Sequence, residues 1–414
     1  MQGSKGDVFI IMKASMREWS PVSLALSCVL ASIALCLHAD NILMYTLGAA
    51  SATIPFVCSF LLGIIVLCLS SSVSAHDDEK RRWSIVIGLA TALAGSLLVL
   101  FLGMLPVVPT AVTSGVLLGF GLACLLRQWG RFYRSFSFQG ALLNTGFAFL
   151  LASIWWMAMA NAGSVFLFCL GLIVLTLSGG LPLLASDIVR ADEVREGFRS
   201  DELWVPSVTI WQVMRQGWAA VAGLMLNFFA IGLTFWQSNA VSVDIAPKPL
   251  VYVVVAIVVW WVAFHARTAI DGLLGSFYRV ALPLAAVLML VSPLMVLVFP
   301  GIEGMALVLV PYLGTALCNV LGLVVLFWSA KSSEVGFSKM FAAFCASCAA
   351  SVAVGLVACQ VVGVHAPAVL LCLTASYLIA MMLNEIKESF VRRASPAISA
   401  LAIDEPIDVA DSDL

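Results

Sequence analysis

Apolar residues run along this chain in long blocks separated by short polar connections, with neither a surface helix's narrow stripe nor a barrel strand's strict alternation. The blocks repeatedly approach or exceed the roughly 20 residues that carry a helix across about 30 Å of hydrocarbon. Glycine, proline and charge punctuate them into twelve predicted spans: 21–38, 48–70, 84–104, 108–126, 137–159, 164–186, 216–237, 249–266, 280–299, 304–328, 341–362 and 366–384. The expectation is an all-α integral membrane protein. Its first apolar stretch is as long as a full span and shows no convincing cleavage site, so it reads as a retained helix.

Charge tests that count independently, because lysine and arginine collect on the cytoplasmic side. Between Glu18 and Asp77 the only charged residue is Asp40, and then six of the seven positions Asp77 to Trp83 are charged. With twelve spans, 20 of the 21 basic residues fall in alternate connections on one side, and only Lys248 lies opposite. A miscounted span would scramble that partition. The reading is therefore a multi-pass protein of the cell membrane with both termini cytoplasmic, and "HDDEKRRW" is its second-to-third connection.

Composition agrees: 62% of residues are hydrophobic, 11% are charged and mean hydropathy is +1.07. The net charge of −2 and the scattered basic residues exclude direct nucleic-acid binding as an expectation. Eleven cysteines lie almost entirely within apolar spans, where they act as small packing residues and imply no disulfides.

The longest connection divides the chain into a six-helix bundle over 1–186, a cytoplasmic connector over 187–215, a second six-helix bundle over 216–385 and a tail over 386–414. Within the connector Trp204, Trp211 and Trp218 recur every seven residues with Val208 on the same face, which reads as an interfacial helix from Pro206 or as a plain linker.

Twelve spans, cytoplasmic termini and a long central connection resemble the major facilitator superfamily, which implies two parallel six-helix repeats around a midplane site. The connection "SAHDDEKRRW" has the acids and bases of that superfamily's signature without its glycine spacing, and Asp271, Gly272, Gly275 and Arg279 form a loose second echo. A narrower resemblance is carried by "GFGLACLLRQWGRFY", with Gly119, Gly121, Trp129 and Gly130, which is similar to the membrane halves of actinobacterial LuxR-type regulators. It implies a bacterial inner-membrane sensor. The tail is too short for the helix-turn-helix of that group, so the resemblance implies a sensory half that signals to a cytoplasmic regulator.

Ionisable groups within spans are functional by default. None is expected at a span centre: His38, Asp40, Asp187, His265, Glu303 and His365 all fall at ends or connections. Asp40, Asp244 and Glu303 are either an external gate or ordinary solvated charges. The spans' polarity is neutral, and Asn144, Asn227 and Asn319 at mid-depth are the candidate ligand-binding residues, with interhelical glue as the competing reading. Gln360 lies near a span end, while Trp155, Trp156, Trp260 and Trp261 either line a cavity or anchor at an interface. Cys345 and Cys348 in "CASC" share a helix face and read as packing, as do Gly115, Gly119 and Gly121. No phosphate loop, nucleophile elbow, metal-ligand cluster or catalytic carboxylate pair is evident. The expectation is a non-enzyme without catalytic residues, metal or cofactor, whose partners are the bilayer, a small uncharged or weakly polar ligand and a cytoplasmic regulator. Sensor module and secondary transporter or facilitator both remain open.

Overall fold

In the computed structural model the described residues are 22–38, 50–70, 78–102, 104–133, 138–160, 164–184, 218–240, 247–265, 284–285, 287–288, 313–320, 322–323, 337–366 and 368–383. They form the helices α1 (Val22–Leu37), α2 (Ala50–Ser70), α3 (Asp78–Leu100), α4 (Val107–Tyr133), α5 (Phe138–Ala160), α6 (Val165–Leu184), α7 (Trp218–Ala240), α8 (Pro247–His265), α9 (Phe337–Val362) and α10 (Ala368–Leu383). These coincide with ten of the twelve predicted spans. Of the other two, residues 313–320 are helical and most of 280–299 lies outside the described residues, as do Asp40, Asp244, Glu303, the 187–215 connector and the tail. Five of the described helices are long and apolar enough to cross a membrane. This is a multi-pass, all-helical membrane protein.

Helix α6 shows why no amphipathic stripe was visible. Phe168, Leu172, Leu175, Thr176, Gly179 and Leu183 are buried, yet the opposite face exposes Leu167, Leu170, Val174 and Leu181. A helix apolar on both faces belongs where the solvent is hydrocarbon. Ser164 caps its start by accepting from the Leu167 amide at 3.2 Å. In the helix interiors Ser32, Ser96, Ser153 and Thr374 donate to carbonyls four residues back, so their hydroxyls need no water.

Small residues set the helix crossings. On α4, Gly115 and Gly119 present bare backbone to Phe56–Phe60 of α2, and Gly121 does the same to Gly88 and Ala92 of α3. Trp129, fully buried, reaches α6 and donates from Nε1 to the Gly179 carbonyl at 2.8 Å. The "GFGLACLLRQWGRFY" motif thus acts by joining α4 to three neighbours. Across the chain, Gly232 of α7 backs onto Gly355 of α9. The pairs α2 with α9 and α5 with α8 also pack together.

Two helix boundaries differ from expectation because charge does not end a helix in the way it ends a hydrocarbon span. Helix α3 begins at Asp78, so most of "HDDEKRRW" forms its first turns rather than a loop. Helix α4 runs on to Tyr133, taking in Arg127 and Arg131.

Candidate functional site

Asn144 and Asn319 each make a hydrogen bond to another helix. Asn144 is buried on α5 itself and accepts at Oδ1 from Ser23 Oγ of α1 at 2.6 Å, an interhelical bond of the kind expected of glue. Asn319, on the helical segment 313–320, donates from Nδ2 to the Tyr252 hydroxyl of α8 at 2.7 Å, while its Oδ1 is buried with no hydrogen-bond partner. Tyr252 in turn meets Phe149 and Trp156 of α5, with ring centroids 6.3 and 5.8 Å apart.

Trp156 stacks on His38 at the end of α1, with centroids 4.7 Å apart. Trp156 is 3% exposed, whereas Trp155 and Trp261 face outward and Trp260 is half-buried. The four tryptophans therefore differ in burial. Gln360 and His365 are exposed.

Asn227 has different surroundings. One turn before it, Leu224 packs with Ala285 and Cys318; one turn after it, Ala230 packs with Cys359, Ala366 and Leu370. Gly223 lies against Tyr377 of α10. Asn227 is 3% exposed, and neither its Oδ1 nor its Nδ2 has a hydrogen-bond partner. A buried orphan amide costs about 1–3 kcal/mol, and two unsatisfied ends in one side chain call for a specific reason. The structure thus ties Asn144 to α1 and Asn319 to α8, and leaves Asn227 buried without a hydrogen-bond partner beside α9 and α10.

Lys248 was missed as a site residue because it stands in a short polar connection in the sequence. The structure starts α8 at Pro247, buries Lys248 to 4% exposure and sets it one turn from Tyr252, close enough to His38 to act on it electrostatically. The available sequence signal was its isolation, as the only basic residue on the far side of the charge partition. Among the described residues no group of three or more metal-ligating side chains converges.

Over nearly its whole length the chain is similar to two solved transporters. The crystal structure of the human organic anion transporter MFSD10 (TETRAN) matches with a TM-score of 0.59 and 13% identity, over 89% of this chain and 99% of that one. The Escherichia coli fucose:proton symporter FucP matches with a TM-score of 0.50 and 12% identity, over 90% and 98%. No family model and no curated protein matches. The chain shares its fold with these two solved proteins. The resemblance to LuxR-type regulators gains no support from these matches.

Proposed function

We propose that this protein is a secondary transporter or facilitator of a small, uncharged or weakly polar molecule, with twelve spans in two six-helix halves that enclose the ligand. The observation that supports this best is the similarity to two transporters across about nine-tenths of the chain. It is an argument from fold, which the site must then sharpen. The pairs α2·α9 and α5·α8 are what two parallel repeats would use as seams, since a two-fold axis along the membrane normal exchanges them.

In this reading the halves rock about those seams. One end of the α5·α8 seam is closed by the His38–Trp156–Tyr252–Phe149 rings. An aromatic pair contributes about 0.5–1.5 kcal/mol beyond its buried area, so unstacking the two pairs that Tyr252 makes across the seam costs about 1–3 kcal/mol. A ligand can supply that by binding one state better than the other. Polar recognition falls to amides: the Asn319 Oδ1 accepts, and Asn227 offers both an acceptor and donors. No carboxylate lies in the middle of a span among the described residues, so coupling to protons through a buried acid has no support.

The similarity to transporters favours this reading over a sensor module, which would leave the ligand in place and signal through a cytoplasmic partner. The site is tested by thermal unfolding of the purified protein against a panel of neutral polar compounds. At a ligand concentration 100 times Kd, stabilisation approaches about 2.7 kcal/mol. The reading expects at least one such compound, with its effect lost in Asn227→Leu or Asn319→Leu. If every stabilising compound acts equally on both variants, these amides are not the site.

A further inference from the structure

The charged run "HDDEKRRW" has no part in the proposed ligand site, yet where α3 leaves that run the fold builds a second polar cluster. Ser84 follows Trp83 in the second turn of α3, and its Oγ accepts from two successive residues of α4, Arg127 Nη2 at 2.9 Å and Gln128 Nε2 at 3.3 Å. Arg131 Nη1 donates to Gln128 Oε1 at 3.4 Å. Two guanidiniums one turn apart on α4 are thus linked through a glutamine that is 2% exposed.

The acceptors Ser84 and Gln128 are neutral, and like charges at i and i+4 of a helix repel. A guanidinium carries five N–H donors, of which Ser84 takes one from Arg127. Arg127 Nε is buried with no hydrogen-bond partner, and an unmet donor is costliest on a charged group. An anion beside the pair would offset the repulsion and take the spare donors in the charge-assisted bonds that arginine makes with phosphate.

The surroundings say which anion. Trp83, Val86 and Ile87 of α3 are exposed, Trp83 at 59%, whereas Gly88 faces Cys124 and Gly121 of α4. At 100° per residue Ser84 stands between Ile87 and Gly88, on the border between the outward face of α3 and the face packed on α4. A tryptophan beside the arginines with valine and isoleucine behind it is a headgroup level with hydrocarbon next to it. A soluble anion gains nothing from that apolar border, whereas a phospholipid fits both parts.

We propose that Arg127 and Arg131 bind the phosphate of an anionic phospholipid whose acyl chains lie along the outward face of α3 at Trp83, Val86 and Ile87. The site lies between neighbouring helices, and it does not rest on the transporter reading.

The test takes full-length protein stripped of lipid in a neutral detergent and follows its thermal stabilisation as lipid is returned. Phosphatidylglycerol should reach half-saturation at a concentration about tenfold below that of phosphatidylcholine with the same acyl chains, and the double variant Arg127→Gln with Arg131→Gln should remove the difference. An equal response to both lipids, or a preference that survives the double variant, would overturn the proposal. Inorganic phosphate that reproduces the stabilisation or displaces phosphatidylglycerol would make this a soluble-anion site and defeat the lipid assignment. If the double variant folds poorly, photoactivatable phosphatidylglycerol decides the matter on the wild-type protein. Its label should enter peptides from the start of α3 and the end of α4 and be competed by phosphatidylglycerol but not by phosphatidylcholine; label spread evenly over the helices would overturn the site. Neither readout involves transport, so failure here leaves the transporter reading untouched.

Discussion

Replacing Gly119 by alanine should destabilise this protein although alanine is the better helix former. A Cβ on Gly119 would overlap the Phe60 carbonyl oxygen and lie 2.8 and 3.1 Å from the Phe60 C and Cα, all of them backbone atoms of α2. No side-chain rotation relieves that clash, so α2 and α4 must separate. Overpacking a close contact costs about 1–3 kcal/mol, and the intrinsic helix gain of alanine over glycine returns about 1 kcal/mol. A further loss comes from Gly115, one turn back, whose approach to Phe56 and Ser59 loosens as the helices part. The first two terms leave about 0–2 kcal/mol of net destabilisation, and the loosened Gly115 contact adds to it.

Gly146 provides the control, because a Cβ there meets Ala256 O, Trp260 N and Trp260 Cβ at 3.6–3.8 Å, which is ordinary contact. Gly146→Ala should be neutral or up to about 1 kcal/mol stabilising. The assay is unfolding of purified protein in one detergent, followed by loss of the monodisperse size-exclusion peak. If the two variants behave alike, or if Gly119→Ala is the more stable, the close α2–α4 approach is wrong.

Other predictions concern the amides, the coupling and the topology. A double-mutant cycle of Ser23→Ala with Asn144→Leu should give a coupling of about 0.6–2 kcal/mol in unfolding, the range for interhelical hydrogen bonds in membranes; additive effects would deny the bond. Without ligand, Asn227→Leu should stabilise the protein by about 1–3 kcal/mol by removing an orphan amide, and a destabilised variant would mean that the amide is satisfied. Transport should persist when the pH gradient is collapsed, since no mid-span carboxylate among the described residues can carry the proton; uptake that disappears with the gradient would contradict this. Reporter fusions after Arg199 and Arg393 should read cytoplasmic and one near Lys248 should read the far side, whereas an exported reporter after Arg199 would remove the twelve-span arrangement.

What the sequence made legible was what hydrocarbon imposes. Span positions followed from apolar length, and the ten helices Val22–Leu37 to Ala368–Leu383 lie where those lengths put them. Helix ends were less legible, because a helix continues through Asp78–Arg82 or past Arg127 once those residues have left the bilayer core. Gly115, Gly119 and Gly121 were readable as close-approach positions from residue type and spacing alone, although their partners were not.

Side-chain meetings across the chain left no local signal. That Asn144 would find Ser23 across 121 positions, that Asn319 would find Tyr252, and that Asn227 would find nothing depends on helix rotation, which an all-round apolar helix does not encode. Lys248 was legible as an outlier in charge but not as a buried one.

The central claim is movement of a ligand across the membrane rather than its recognition alone. Purified protein in sealed proteoliposomes, preloaded with an unlabelled compound that stabilises it and then given the labelled compound outside, tests this directly by counterflow. The account predicts transient labelled accumulation above that of protein-free liposomes, abolished by Asn227→Leu. Saturable binding with no accumulation would contradict it and make the protein a receptor with a transporter's fold.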